Sequence, residues 1–370
     1  MMNVEIPEKL KTLKPHFAQS LEPWFQANAR DLPWRNTHDP YAIWVSEIML
    51  QQTQVITVIP YYHRFMAQFP TVQALAEAPL ESVLKAWEGL GYYSRGRNLH
   101  KAAQVVVQDF NAQVPHTLED LLRLPGIGRY TAGAILSFAF HQRIPLLDGN
   151  VKRILARLLN DDSPINQPST EKQHWHWISE LLDASQDVYS FNQGIMELGA
   201  TICTPKQAKC LLCPVHSHCL AFQGGRVEDL PRKTPAKAVP HKHIGVALIQ
   251  NEAGDYFIQQ RPETGLLASL WEFPGGKQET GESIEHTVIR EIKEELNLNV
   301  EVKAHALEID HAYTHLKVTL HVFHTILKSP LEDLELKAAQ AFKWTTLEEM
   351  RTLPFPKANH AILNYLEGLA

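Results

Sequence analysis

The sequence predicts a multidomain chain of class α plus α/β, an all-helical part followed by a mixed sheet with helices. Three observations predict it. Apolar residues recur at helical spacing through segments 41–68, 81–109, 129–140, 151–159 and 171–185. A polar stretch rich in Pro, Gly and Lys and without periodicity, AFQGGRVEDLPRKTPAKAVPHKH, then covers 221–243. That composition reads as a linker. Beyond it the pattern changes to the short alternating runs of strands.

Taken in order, prolines at 33, 40, 70, 115, 125 and 145 punctuate the helices of the first part. Residues 117–140, TLEDLLRLPGIGRYTAGAILSFAF, read as helix, tight turn, helix. Pro125 stops the first helix, and Gly126 and Gly128 permit a turn with positive φ. A further helix is expected to open at about Asn150, with Asp148 just ahead of it. In the second part HIGVALIQ (243–250) and YFIQQR (256–261) are β-type runs joined by the turn NEAGD, and LKVTLHVFHTIL (316–327) alternates likewise. Between them 282–296 is a charged helix, and another closes the chain from about 357. The expected domains are therefore 1–222 and 243–370, joined by a linker over 223–242.

The chain has 370 residues, enough for two hydrophobic cores, and its 44% apolar and 21% charged residues are ordinary for a globular protein. MMNVEIPEKLKTLKPHF has no apolar h-region, and no apolar run approaches the roughly 18 residues of a membrane span. A cytoplasmic enzyme without a membrane partner is the expectation. The net charge of −6 does not advertise a nucleic-acid partner, and the chain is near neutral up to residue 225 and acidic beyond it. A DNA-binding surface would have to come from local clusters such as Arg95, Arg97 and Lys101, or Lys152, Arg153 and Arg157. Clusters of that size are also ordinary on solvated helix faces.

All four cysteines, Cys203, Cys210, Cys213 and Cys219, fall in one 17-residue window with the spacing C-x6-C-x2-C-x5-C. Scattered structural thiols do not bunch in this way, and a cytosolic chain does not hold two disulfides there. Four thiolates on one loop suit a [4Fe–4S] cluster or a tetrahedral zinc, and His216 and His218 keep a mixed zinc site open.

Two carboxylates stand out. Asp148 is placed to cap the helix that follows it. Glu47 lies on an amphipathic helix whose plausible core residues are Ile43, Trp44, Ile48, Leu50 and Val55. A carboxylate there is either salt-bridged or, if buried beside Trp34 and Tyr130, raised in pKa as a general acid requires. Further on, Glu291, Glu294 and Glu295 lie at i, i+3 and i+4 on one helix face. They read either as an oxygen-rich Mg²⁺ site or as an exposed helix with Arg290 paired to Glu294.

These segments carry resemblances. LPGIG (124–128) followed by LDGNV (147–151) resembles the helix–hairpin–helix signature of DNA glycosylases. The cysteine spacing resembles the cluster loop of the endonuclease III superfamily, which implies a [4Fe–4S] cofactor that presents Lys206 and Lys209 to phosphates. RDLPWR (30–35) with DPYAIWVSEIMLQQTQV (39–55) resembles the adenine DNA glycosylases. The resemblance implies that Glu47 protonates adenine and that Asp148 stabilises an oxocarbenium-like sugar, electrostatically or as a nucleophile, with Tyr130 and Asn150 as supporting hydrogen-bonders. It puts Arg30, Trp34, Arg35, Leu50 and Val55 around the extruded base. Gln52, Thr53 and Tyr92 wedge the helix and touch the opposite base. Gly126 and Gly128 present backbone N–H groups to a phosphate.

Superfamily members that cut the strand carry a lysine two residues after the second hairpin glycine, where this chain has Tyr130. That departure implies a monofunctional enzyme and argues against a glycosylase–lyase. WEFPGGKQETGESIEHTVIREIKEELNL (271–298) resembles the Nudix box of MutT-type hydrolases, departing only at Asn297. In adenine glycosylases such a domain reads 8-oxoguanine opposite adenine, while the nearly intact box leaves hydrolysis of oxidised nucleoside triphosphates open. HAYTH (311–315) implicates Tyr313, Thr314 and His315, and FPKAN (355–359) implicates Asn359, in contacting the oxidised guanine. The implied partner is duplex DNA with an adenine:8-oxoguanine or adenine:guanine mispair, and the implied state a monomer. A non-enzymatic DNA-binding module is the remaining alternative, and Glu47 with Asp148 argues against it.

Overall fold

The computed structural model describes residues 7–235, 238–313 and 316–369. The chain divides into two units, Met1–Gln73 with Lys101–Ala236, and Ala74–His100 with Lys237–Ala370. Its first helices are α1 (Glu8–Asn28), α2 (Pro40–Leu50), α3 (Val55–Gln68), α4 (Val72–Glu77), α5 (Leu80–Trp87) and α6 (Ser94–Asp109). Then follow α7 (Leu118–Arg123), α8 (Arg129–Phe140), α9 (Gly149–Leu158), α10 (Pro168–Asp183), α11 (Val188–Thr201) and α12 (Leu220–Gln223).

In the first unit Leu10, Leu13, Phe17 and Leu21 of α1 recur every three or four residues and form one buried stripe. It packs with Leu155 of α9, Ile178 and Leu181 of α10, and Phe191 and Ile195 of α11. Asp39, Thr117, Asp148 and Asp187 each accept a backbone N–H at the start of α2, α7, α9 and α11, which fixes where those helices begin. Helix α9 therefore opens at Gly149, one residue earlier than expected. Helix α2 is not amphipathic: every residue from Tyr41 to Met49 is buried, Glu47 included.

Two predicted helices are broken in the structure. Segment 41–68 parts at Gln51–Gln54, where Gln52 has φ 56°. Segment 81–109 parts between α5 and α6, where Gly89, Gly91 and Tyr92 all have positive φ. Apolar residues keep helical spacing across the first break and no Gly or Pro marks it, so periodicity alone runs through it. In the hairpin turn Gly126 takes the left-handed conformation at φ 79°. Gly128 does not: its φ is −97°, extended backbone open to any residue, so only one of the two glycines is needed for positive φ.

The polar stretch read as a linker is fastened to the first unit over much of its length. Arg157 Nε donates to Leu230 O at 2.9 Å, Ile165 N to Arg232 O at 3.0 Å, and Thr234 N to Asn166 Oδ1 at 2.9 Å.

The second unit holds β1 (His241–Ile249), β2 (Tyr256–Gln260), β3 (Trp271–Glu272), β4 (Gly275–Lys277), α13 (Ile284–Leu296), β5 (Val300–Tyr313), β6 (Leu316–Leu327), β7 (Ala341–Thr345), α14 (Leu347–Met350) and α15 (Asn359–Glu367). One sheet has the order β4-β1-β6-β5, with β1 and β6 parallel and the other pairs antiparallel; the second is β3-β2-β7. Ala247 and Ile249 pack with Val288 and Ile292 of α13, while Val246 and Leu248 share a core with Ile362 and Leu363 of α15. Burial on both faces explains the continuous apolar run of β1. Strands β3, β4 and β7 are too short to carry a clean alternation, while β5 alternates over 300–306 and again, in shifted phase, over 307–310.

Residues 74–100 belong to this unit because their polar groups close on it. Tyr93 Oη donates to Phe355 O at 3.0 Å, Lys85 Nζ to Leu353 O at 3.1 Å, and Arg97 Nη1 to Ala268 O at 2.9 Å. Glu88 Oε1 accepts from Phe355 N at 3.0 Å.

Candidate active site

In the first unit a cleft of about 490 Å³ is lined by Glu47 and Tyr130 together with Asp148, Asn150, Arg30, Trp34, Arg35, Leu50, Gln52, Thr53 and Val55. These residues come from the stretch 30–35, α2, the break after it, α3, α8 and the start of α9. The sequence expectations for this part of the chain thus converge on one place. Leu50 and Val55, expected in the core, are half-buried walls of the cleft.

Glu47 is 6% exposed, and its Oε2 accepts the Tyr130 hydroxyl at 3.0 Å. Burial pushes its pKa up from 4.5 to about 7; the Tyr130 bond opposes the rise, the nearby Asp148 charge adds to it, and Arg35 opposes it. Tyr130 is half-buried, and desolvation with the nearby Glu47 and Asp148 charges pushes its pKa far above the usual value, so it stays a neutral donor.

Asp148 is both a cap and a cleft residue, so the two readings of it are compatible. Its Oδ1 accepts Val151 N at 2.8 Å and its Oδ2 accepts Asn150 Nδ2 at 2.9 Å. Asn150 is held in turn by Arg153 Nη2 at 2.9 Å, which also donates to Gly199 O. Burial raises the Asp148 pKa, and the bonds from Val151 and Asn150 with the Arg153 charge limit the rise.

Sequence reasoning missed Glu197. It is 1% exposed on α11 and grips both cleft arginines: Arg30 Nε at 2.6 Å, Arg30 Nη2 at 2.9 Å and Arg35 Nη2 at 2.9 Å. Burial pushes its pKa up, but the Arg30 bond and the Arg35 charge outweigh this and hold it below the usual range. Gln193 accepts from Arg35 Nε at 3.0 Å and was missed as well. Both lie on one face of a helix that carries no local signature, and only its packing against 30–35 brings them to the cleft.

Three of the six residues in the basic clusters are interior, while Lys101 is exposed and Arg97 and Lys152 are half-buried. Arg153 and Arg157 are 6% and 1% exposed, and Arg95 is 9% exposed with its Nη2 donating to Leu90 O and Gly91 O. Long apolar stems and multiple carbonyl partners make these arginines interior braces. Arg153 Nε donates to Cys203 O at 2.8 Å, and Arg157 Nη1 to Thr204 O at 2.7 Å and Cys203 Sγ at 3.4 Å. One helix, α9, therefore carries Asp148 at its start and holds the cysteine loop along its length.

Cys203, Cys210, Cys213 and Cys219 line a common cavity and none is joined in a disulfide. Burial raises the Cys213 thiol to about 12 and those of Cys210 and Cys219 in the same direction, so the thiolate forms need a bound cation. Four thiolates lining one cavity suit a metal centre, either a tetrahedral zinc or a [4Fe–4S] cluster. Lys206 and Lys209 on the same loop are exposed.

In the second unit Tyr92 is 39% exposed at φ 48°, with the Arg95 guanidinium 5.5 Å from its ring centre. Its neighbour Tyr93 is buried, so the aromatic pair divides into one outward and one inward ring. Tyr313 is half-buried at the end of β5, edge-on to His311 at 4.6 Å. Asn359 is 8% exposed and its Oδ1 accepts Phe273 N at 3.5 Å. Thr314 and His315 lie outside the described residues.

Three of the Nudix-box carboxylates gather on one arginine. Arg290 draws in Glu282 at 2.8 Å, Glu294 at 2.9 Å and Glu291 at 3.2 Å, and donates to Lys277 O at 2.9 Å. Glu295 accepts from Gln259 Nε2 at 3.1 Å, and burial raises its pKa to about 7. A side chain at Gly276 would collide with the Glu291 carboxyl at 2.1 Å, so that glycine is needed for close approach.

Residues 45–180 match the HhH-GPD superfamily of base excision DNA repair proteins, and 245–365 match the NUDIX domain. The adenine DNA glycosylase of Mus musculus is 36% identical over 388 residues, covering 90% of this chain and 74% of its own. That of Buchnera aphidicola subsp. Schizaphis graminum is 34% identical over 351 residues, covering 94% of this chain and 97% of its own. A thermostable thymine-DNA glycosylase structure superposes with TM-score 0.52 at 29% identity, over 59% of this chain and 98% of that one. An endonuclease III–DNA complex, at 19% identity and TM-score 0.50 over 60% of this chain and 99% of that one, shares the fold. No helix among the described residues is long and apolar enough to cross a membrane. With relatives similar over nearly the whole chain and both domains matched, the chain belongs to the adenine DNA glycosylases, base excision repair enzymes that hydrolyse an N-glycosyl bond in DNA.

Proposed function

We propose that this chain excises adenine paired with 8-oxoguanine, or with guanine, from duplex DNA, with Glu47 as general acid and Asp148 as the stabiliser of the sugar cation. One observation carries the reading: two carboxylates with different surroundings line one cleft. Glu47, buried under the Tyr130 hydroxyl, holds its proton to about pH 7. Asp148 is fixed as an acceptor by Val151 and Asn150. Glu47 gives its proton to a ring nitrogen of adenine, the bond between that base and C1′ breaks with its electrons going to the base, and neutral adenine leaves. Asp148 lies against the oxocarbenium-like sugar. Water adds to C1′ and returns a proton to Glu47, leaving an abasic site.

Arg30, Trp34, Arg35, Leu50 and Val55 wall the pocket for the flipped base. Gln52, Thr53 and Tyr92, at the two positive-φ breaks, meet the opened duplex. The Gly126–Gly128 turn offers the uncapped N-terminus of α8 to a phosphate. Tyr313, Thr314, His315 and Asn359 contact the oxidised guanine. Cys203, Cys210, Cys213 and Cys219 would hold a [4Fe–4S] cluster, which supplies order to the loop that carries Lys206 and Lys209.

Tyr130 stands where a lyase needs an amine, and its hydroxyl is committed to Glu47, which supports a monofunctional enzyme. The test uses duplex DNA with adenine opposite 8-oxoguanine, assayed with and without hot alkali. Strand breaks that emerge mainly after alkali are expected. Breaks without alkali, or action on oxidised pyrimidines alone, would overturn the reading in favour of a glycosylase–lyase.

A further inference from the structure

The second unit carries a set of metal-ligating side chains far in sequence from the cysteine loop and outside the Nudix box. On β5 and β6 the ligand atoms of His305, Glu308 and His321 all lie within 4.8 Å of one another, the one such group of three among the described residues. Strand register explains part of this: Glu308 stands directly opposite His321. His305 is three residues from Glu308, and in a regular strand that separation places two side chains on opposite faces. A bulge lies between His305 and Leu307, where the pairing slips so that His305 opposes Phe323, two residues from His321 on the same face. The irregularity of this edge strand is what brings the third donor round.

His321 Nδ1 is 3.2 Å from Glu308 Oε2, close to the edge of about 3.4 Å that two donors span in a tetrahedral zinc site. The other ring nitrogen of His321, Nε2, lies 2.9 Å from Nδ1 of His243 on β1. With the proton on His321 Nε2, that contact is a hydrogen bond to His243, and Nδ1 of His321 is left with its lone pair toward Glu308. An outer partner of this kind fixes ring orientation and tautomer at metal centres. His243 is buttressed in turn by His241, ring centres 5.0 Å apart, whose Nε2 is 2.9 Å from Thr319 Oγ1; Thr319 donates to Asp310 Oδ1 at 2.6 Å. His305 and Glu308 are exposed, so the site is open to solvent and keeps at least one coordination position for water.

We infer that His305, Glu308 and His321 form a binding site for a divalent transition-metal cation of the zinc class, oriented by His243, that pins the bulged edge strand β5 to β6. Two imidazoles and one carboxylate suit zinc and its neighbours rather than Mg²⁺ or Ca²⁺, which take oxygen donors.

The test loads the full-length, cluster-containing enzyme with zinc chloride, removes loosely held ion on a desalting column, and measures zinc and iron per chain. Wild type is compared with His305→Ala, Glu308→Gln and His243→Ala, using iron content and circular dichroism to confirm that each variant is folded. The expected result is one zinc per wild-type chain beyond that retained by His305→Ala or Glu308→Gln. Titration should show zinc affinity at least a hundredfold weaker in those two variants, and 10–100-fold weaker in His243→Ala. Since His305 and Glu308 are exposed, neither substitution threatens the fold. Equal zinc content and affinity in wild type, His305→Ala and Glu308→Gln would overturn the inference and leave Glu308 and His321 as an ordinary ion pair.

Discussion

The two units each present a group of carboxylates that sequence reading marks for chemistry, and the structure treats them in opposite ways. In the first, Glu47 and Asp148 are 101 positions apart, yet both line one cleft, and neither is neutralised by a direct salt bridge. In the second, Glu282, Glu291 and Glu294 are close in sequence, yet all three are bound to Arg290, and Glu295 turns to Gln259. A local motif thus guarantees residue types but not free ligand atoms. Burial with no arginine in contact raises an acid, at Glu47 and Glu295 alike; direct contact with an arginine makes a carboxylate a brace.

Substitutions that separate the two regions should differ by orders of magnitude. Asp148→Asn is expected to lower single-turnover excision at least about 10³-fold while duplex binding, read by fluorescence anisotropy, stays within a few-fold. Glu47→Gln should cost about 10²–10⁴-fold, the usual worth of a general acid. It also has a folding consequence. The folded chain keeps a proton at Glu47 that the unfolded chain releases above about pH 4.5, so wild-type stability declines from this group as pH rises toward about 7. Glu47→Gln should remove that part of the decline in denaturant titrations.

Glu197→Gln should be next. It leaves Arg30 and Arg35 without their shared buried partner, which costs about 3 kcal/mol of stability and roughly tenfold in excision. Tyr130→Phe removes a bond that lowers the Glu47 pKa, so the alkaline limb of the rate profile should move to higher pH, with a rate change within about tenfold. At the small end, Glu294→Gln should leave excision within about twofold. A tenfold loss there would erase the contrast between the regions.

Much of this is legible in the sequence. The change of period at the linker locates the two fold classes, and most cleft residues of segments 30–55 and 130–150 can be named from sequence, while Leu32, Gln51, Phe138 and Gly149 cannot. What escaped has physical reasons. Gln52 adopts positive φ without a glycine to announce it. Arg153 and Arg157 look like surface charge, and only the carbonyls of the cysteine loop reveal them as interior braces. Glu197 acts through α11 packing, and the edge strand β5 is bulged, which shifts the phase of its alternation between Ala306 and Leu307. The residues of 74–100 close on the second unit through side-chain bonds to backbone carbonyls, for which sequence carries no pattern.

The most direct test of the central claim is the pH dependence of single-turnover adenine release, in wild type and Glu47→Gln, from duplex DNA with adenine opposite 8-oxoguanine. The account expects the wild-type rate to fall about tenfold per pH unit above roughly pH 7, as Glu47 loses its proton, and the limb to vanish in the slow variant. A wild-type rate that is flat from pH 6 to 9, or a limb that survives in Glu47→Gln, would contradict it.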